Sequence, residues 1–339
     1  MKRRTGKRIT TAFLLLCLML SLVTGCRSQE TPQTVTLFAL DTYVTITATG
    51  PDAEQAVAFG ASEVSRYEQL LSRHLPGSEI DRLNHAASDS PITISDETYA
   101  FLSEVLSLSE KTEGRFDPTV APLMDVWGFG EERTTVPDPS VIEAALRTVD
   151  YHGVHLLEGN QAYLDTGTIL DLGGAAKGYI ADRVMEGMRG YKVTKIILDL
   201  GGNICFWNQK REMHIGVISP LDPQALIVTY SAKEGSVVTS GAYERYQEID
   251  GVRYGHIMDT NTGYPVETDL LSVTVIDPDG TKADVLATAL FAMGQDEAMR
   301  VANEMQVVCI LCDGNGTLWI SSDLRGHIEN EKGWTVEYF

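Results

Sequence analysis

The chain has 339 residues, 43% of them hydrophobic, enough to bury one large core or two modest ones. Acidic residues outnumber Lys and Arg by 47 to 27, a formal net charge of −20. That balance argues against nucleic acid as a partner, since a phosphate backbone is gripped by Lys and Arg. An anionic small molecule stays open if a local basic group or a metal ion receives it.

Lys2, Arg3, Arg4, Lys7 and Arg8 precede an apolar run from Ala12 to Val23. The run is short for a membrane span and suits the hydrophobic region of a signal peptide. Leu22-Val23-Thr24-Gly25-Cys26 resembles a bacterial lipobox. Residues 1–25 therefore read as a leader and Cys26 as a lipid anchor on the extracytoplasmic face of a membrane. Residues 26–34 then form a polar tether, and 35–339 the folded domain. A plain secretory signal or an uncleaved anchor is the alternative.

Thr34 to Gly50 alternates and is rich in β-branched residues, which predicts a strand, a bulged strand or a strand pair. Pro51 and Asp52 open a long helix through about Ser72, and Ser95 can cap a second through about Thr112. Val136 to Ser140 is a loop that opens a short helix. Val154–Leu157 and Gln161–Leu164 form a hairpin about Glu158-Gly159-Asn160. Ile169 to Val184 reads as strand, two glycines and a helix. Lys195–Asp199 is a strand, and further strands run as far as Ile276. Asp284 to Met293 reads as a helix, and two or three strands close the chain. Without a regular βαβ repeat the class is α+β: one mixed globular unit, undivided or in two lobes around a cofactor cleft.

Three cysteines follow Cys26, an odd number that builds no disulfide framework. Cys309 and Cys312 have metal-like spacing but stand in an apolar run. Positions i and i+3 of a strand face opposite ways, which favours two core thiols.

Several segments can carry chemistry. In "DLGGAAKG", Gly173 and Gly174 allow close backbone approach, the following helix offers unpaired N–H groups, and Lys177 adds a charge. By itself the segment is equally a tight corner. The turn at "LDLGGN" and the loop "TSGAYERY" are weaker candidates of the same kind. His256 precedes a dense turn (Asp259, Asn261, Gly263, Pro265), where an imidazole can stack, donate to phosphate or move a proton. Asp284 and Thr288 are i and i+4 on one helix face, an oxygen pair suited to Mg²⁺. On the residues alone the heavier reading makes Asp284 the helix cap and lets Thr288 bond back to a carbonyl.

Eight segments in order, "FALDT", "LLSRHLPGSEI", "GRFDPTVAPL", "DLGGAAKGYIAD", "DLGGN", "TSGAYER", "YGHIMDTNTGYPV" and "ADVLATALFAMG", resemble the ApbE-type family of FAD:protein FMN transferases. They run from about residue 35 to 295. The resemblance implies that FAD is split at its pyrophosphate, that FMN is esterified to a Thr or Ser of an acceptor flavoprotein, and that AMP leaves. It implies Mg²⁺ held by Asp284, Thr288 and a main-chain carbonyl at Gly174, with Ala175 the neighbouring candidate. It places Leu40, Thr42, His74, Arg115, Phe116, Asp117, Asp171, Lys177, Ser240, Gly241, His256 and Ile257 against FAD. His256 and Asp284 become the candidates for the chemistry at the acceptor hydroxyl.

The chain departs from the family at three points. Leu40-Asp41-Thr42 stands where Met-Gly-Thr is common, His74 replaces what is often an aromatic, and "DTNTG" replaces "DPxTG". The family's acceptor motif is roughly D-x-x-[ST]-G-A-[ST]. Val237 and Tyr243 break its likeness around Ser240, which argues against self-modification. Two other functions share these residues: an Mg²⁺-dependent FAD pyrophosphatase with water as the acceptor, and a non-catalytic flavin-binding lipoprotein.

Overall fold

Leu40 and Asp41 join the first two strands with φ of 55° and 60°, a two-residue turn that matches the right-handed twist of a hairpin. The computed structural model describes residues 31–88, 90–129, 133–243, 245–330 and 333–339. The expected leader, the expected lipid anchor at Cys26 and the expected tether as far as Glu30 lie outside the described residues. Residues 32–339 form one unit.

Strands β1 (Gln33–Ala39) and β2 (Thr42–Thr49) pair from Gln33↔Ala48 to Ala39↔Thr42, so the first segment is a strand pair. Then come α1 (Ala53–Leu71), α2 (Glu79–His85), β3 (Ile92–Thr93), α3 (Asp96–Lys111), α4 (Ala121–Trp127) and α5 (Pro139–Leu146). The hairpin β4 (Val154–Leu157) and β5 (Gln161–Leu164) leads to α6 (Ala176–Met188). After it run β6 (Lys195–Leu200), β7 (Asn203–Asn208), β8 (Met213–Ile218), β9 (Leu226–Ala232) and β10 (Glu234–Gly241). They are followed by β11 (Tyr246–Ile249), β12 (Val252–Gly255), β13 (Leu270–Asp277), α7 (Gly280–Met293) and α8 (Gln295–Met305). The chain closes on β14 (Cys309–Asp313), β15 (Thr317–Ile320), β16 (Ile328–Asn330) and β17 (Thr335–Tyr338).

Among the described residues the main sheet has nine strands in the order β1-β2-β6-β7-β10-β13-β14-β15-β17. Its pairings are antiparallel except β15–β17. Smaller sheets are β3-β5-β4, β16-β9-β8 and β11-β12. This is the expected α+β class. On one face, Ile46 and Leu198 pack with Val64, Phe101, Ile180 and Val184 of α1, α3 and α6. Further along, Val273, Val275 and Leu311 pack with Leu286, Leu290 and Ala298 of α7 and α8. The opposite face buries Phe206, Val237 and Ile310 under Ile215 and Val228 of β8 and β9. Cys309 joins one of these clusters and Cys312 another, and burial pushes both thiols up to about 12. They are core thiols.

Two expectations change. Ile169 to Leu172 is not a strand; only Ile169 bridges to Val120. Helix α7 starts at Gly280, where the Asp279 side chain accepts from Lys282 N. Asp284 therefore does not cap the helix but lies inside it. Helix α8, which no expectation named, precedes the closing strands, its polar sequence burying only Ala298, Val301 and Ala302.

Candidate active site

One end of the main sheet opens into a cavity of about 960 Å³. Its wall holds Leu40 and Thr42 of the first hairpin, His74 after α1, and Arg115, Phe116 and Asp117 before α4. Asp171, Gly174 and Lys177 of the glycine turn, Ser240 of β10, His256, Ile257, and Asp284 and Thr288 of α7 complete that set. Gly241 is not part of the wall; a Cβ there would stand 2.5 Å from Tyr243 Cε1. Arg73, Arg115, Lys177 and Arg245 also line the cavity, beside the carboxylates of Asp41, Glu68, Asp117, Asp171 and Asp284.

The glycine turn and α7 meet across the cavity floor. Asp284 is buried, and its Oδ2 accepts from Gly178 N at 2.9 Å while Lys177 Nζ lies 3.8 Å from Oδ1. Thr288 Oγ1 is 3.2 Å from Ser240 Oγ and 3.5 Å from the point where a Cβ on Gly174 would stand. A carboxylate, a hydroxyl and the Gly174 peptide thus share one corner. Such an all-oxygen set fits a hard cation that keeps several waters. The Ala175 carbonyl already accepts from Tyr179 N at 3.2 Å as α6 begins, which leaves Gly174 as the better donor.

The other polar residues are tied down. Asp171 Oδ1 accepts from Gly173 N at 2.9 Å and Oδ2 meets Arg73 Nε at 3.1 Å, while Arg73 also pairs with Asp125. The same Arg73 Nε lies 3.3 Å from His74 Nε2. Arg115 donates to Glu297 at 3.0 Å, turning part of its charge toward α8. Asp117 accepts from Thr119 N, Thr119 Oγ1 and Tyr151 N, so its carboxylate braces the loop behind Phe116. Burial raises its pKa and those three donors oppose the rise.

His256 follows β12, and its backbone N and Nδ1 lie 3.0 and 3.2 Å from the Arg245 carbonyl. A carbonyl partner requires the proton on Nδ1, which leaves Nε2 as the acceptor. Burial pushes the imidazole down to about 4; Lys177 and Arg245 add to this and the carbonyl opposes it. The ring is neutral near pH 7. The following turn is braced from within, where Asp259 Oδ1 accepts from Asn261 N, and from α4, whose Trp127 Nε1 donates to the Gly263 carbonyl.

A sequence model of the ApbE family matches residues 40–311. The chain belongs to the ApbE family. An FAD:protein FMN transferase of Treponema pallidum is 34% identical to it over 71% of this chain and 72% of that protein. Another, of Klebsiella pneumoniae, is 36% identical over 77% and 83%. A crystal structure of the ApbE protein from Thermotoga maritima matches with a TM-score of 0.82 and 30% identity, covering 88% of this chain and 99% of that one.

Within this ApbE fold, Asp41 keeps the positive φ that glycine would supply, since Asp tolerates that region. Its extra negative charge meets Arg245, whose Nη1 lies 3.5 Å from Asp41 Oδ2 and whose Nη2 donates to Asp41 O at 3.1 Å. The departure from the usual Met-Gly-Thr is thus locally neutralised. Sequence reading missed Arg73, Arg245 and Asn203 as wall residues. Asn203 follows a glycine pair that had been noticed, and its buried Nδ2 has no acceptor among the described residues.

Proposed function

We infer that this chain is an FAD:protein FMN transferase that works with Mg²⁺ and modifies a serine or threonine of a flavoprotein acceptor. The observation that carries the reading is the corner shared by Asp284, Thr288 and Gly174, set in a cavity near the upper end of ligand-pocket volumes. The family likeness supplies the chemistry to set against it.

The acceptor oxygen bonds to the FMN phosphorus, the bond from that phosphorus to the AMP phosphate oxygen breaks, and AMP leaves as the anion. Such a transfer depends on positioning and charge neutralisation. The Asp284 carboxylate, Thr288 hydroxyl and Gly174 carbonyl would hold Mg²⁺, which when bound offsets phosphate charge and polarises the phosphorus. Lys177, Arg73 and Arg245 add positive charge along the wall. Phe116 and Ile257 present apolar surface for a ring. The acceptor hydroxyl has to lose its proton, and His256 Nε2 is the neutral acceptor placed in the wall.

The N-terminal pattern extends the proposal: Cys26 carries the lipid that anchors the enzyme at the extracytoplasmic face of the cell envelope. The acceptor segment follows D-x-x-[ST]-G-A-[ST]. Incubating the soluble part from about residue 28 with FAD, Mg²⁺ and a carrier domain bearing that segment tests the reading. A mass increase of one FMN on the carrier supports it. Free FMN with an unmodified carrier indicates a pyrophosphatase, and FAD bound but uncleaved indicates a binding module.

A further inference from the structure

Helices α6 and α7 cross at two glycines. A Cβ on Gly178 would stand 2.0 Å from Gly280 O, and one on Gly280 would stand 2.9 Å from Gly178 O. Around this contact the helices exchange bonds reciprocally. Gly178 of α6 donates to Asp284 of α7, four residues past Gly280. Gly280 of α7 donates to Asp182 of α6, four residues past Gly178, at 3.0 and 2.9 Å to the two carboxylate oxygens. Asp182 Oδ2 also accepts from Thr281 N at 3.1 Å. Each helix thus gives one carboxylate to the other, answered by one N–H from α6 and two from α7.

We propose that Asp182 is a positioning residue that sets α7 in register on α6, so that Asp284 and Thr288 face the Gly174 turn. Its functional consequence rests on the cation site proposed above.

A cap alone does not account for Asp182. The first turn of any helix has unpaired N–H groups, and α7 has its own cap in Asp279, which accepts from Lys282 N at 2.9 Å. Asp182 instead reaches from the neighbouring helix, is largely withdrawn from water, and has its carboxyl pushed up to about 6 by that burial. Withdrawing a carboxylate from water is costly unless hydrogen bonds compensate it, and here the bonds from Gly280 N and Thr281 N do so. What they fix is the point on α6 at which α7 begins. Moving α7 along its axis by one residue shifts Asp284 by about 1.5 Å, enough to break its bond to Gly178 N. Asp182 is not among the residues that line the cavity, so its effect on the site passes through the helix pair.

The test compares Asp182→Ala, Asp182→Asn and Asp279→Ala in the soluble protein without FAD, using Mn²⁺ titration by calorimetry and amide hydrogen exchange at Gly178. Asp182→Ala is expected to weaken Mn²⁺ binding about tenfold or more and to speed Gly178 exchange. Asp182→Asn, which keeps one acceptor oxygen, restores most of both. Asp279→Ala removes the cap but not the cross-link, and is expected to lower the melting temperature with Mn²⁺ affinity within about twofold of wild type. Equal losses of Mn²⁺ affinity in the two alanine variants would overturn the proposal, as would unaltered Gly178 exchange in Asp182→Ala. Should wild type not bind Mn²⁺, the cation site falls while Gly178 exchange still decides the role of Asp182.

Discussion

Gly178 N donates to Asp284 Oδ2 at 2.9 Å across 106 positions of sequence. The bond joins the first turn of α6 to the carboxylate that α7 presents, and it requires the two helix backbones to touch. Gly178→Ala puts a methyl group where Gly280 O stands. Overpacking of this kind costs about 1–3 kcal/mol. The expected outcome is a lower melting temperature together with a loss of transfer rate larger than the loss of FAD affinity, since the helix shift displaces Asp284. A variant with wild-type rate and melting temperature would show that the contact is slack.

His256 carries the next prediction. Its imidazole is pushed down to about 4 in the free protein, below the value of about 6.5 for an unfolded chain. Between those values the unfolded chain binds the extra proton, so His256 takes away stability as pH falls through that window. His256→Gln should therefore lose less stability than wild type between pH 7 and pH 4, read from melting curves. A bound diphosphate favours the imidazolium, so NMR titration should show the pKa rising when FAD is added. In transfer assays His256→Ala should retain FAD affinity and lose rate by about 10²-fold or more. Full transfer rate in that variant would remove the proton role.

Glu104 gives a prediction with the opposite sign. Burial, with Asp279 and Asp182 nearby, pushes its carboxyl up to about 7. The folded state therefore binds the extra proton between about 4.5 and 7, so stability is lost as pH rises through that window and the loss is complete above it. Glu104→Gln should melt higher than wild type at pH 8, and the difference should vanish near pH 4.5. A variant that melts lower at pH 8 would mean that the ionised carboxylate is stabilising.

Local order was legible where a pattern is self-contained. The alternation from Thr34 to Gly50, the Glu158-Gly159-Asn160 hairpin and the Ser95 cap all appear in the structure, because each depends on neighbours in sequence. The start of α7 was not legible. A helix buried on every side has no amphipathic period, so Asp284 looked like a cap when Asp279 holds that place. The wall residues came from family likeness rather than from periodicity, and all but Gly241 line one cavity. Asp182 was invisible because its partners lie about a hundred positions away. Asp117 shows the converse: its motif pointed to the ligand, while its oxygens are occupied by Thr119 and Tyr151.

Asp284→Asn, nearly the same shape and still able to accept from Gly178 N, removes the charge of the proposed cation site together with its pairing to Lys177. The most direct measurement counts AMP released and FMN covalently bound to the carrier domain, for wild type and for this variant, with FAD and Mg²⁺ present. The account predicts one AMP for each FMN attached in wild type, and a loss of both by about 10²-fold or more in Asp284→Asn. Undiminished attachment in the variant, or AMP released by wild type with no FMN on the carrier, would contradict it.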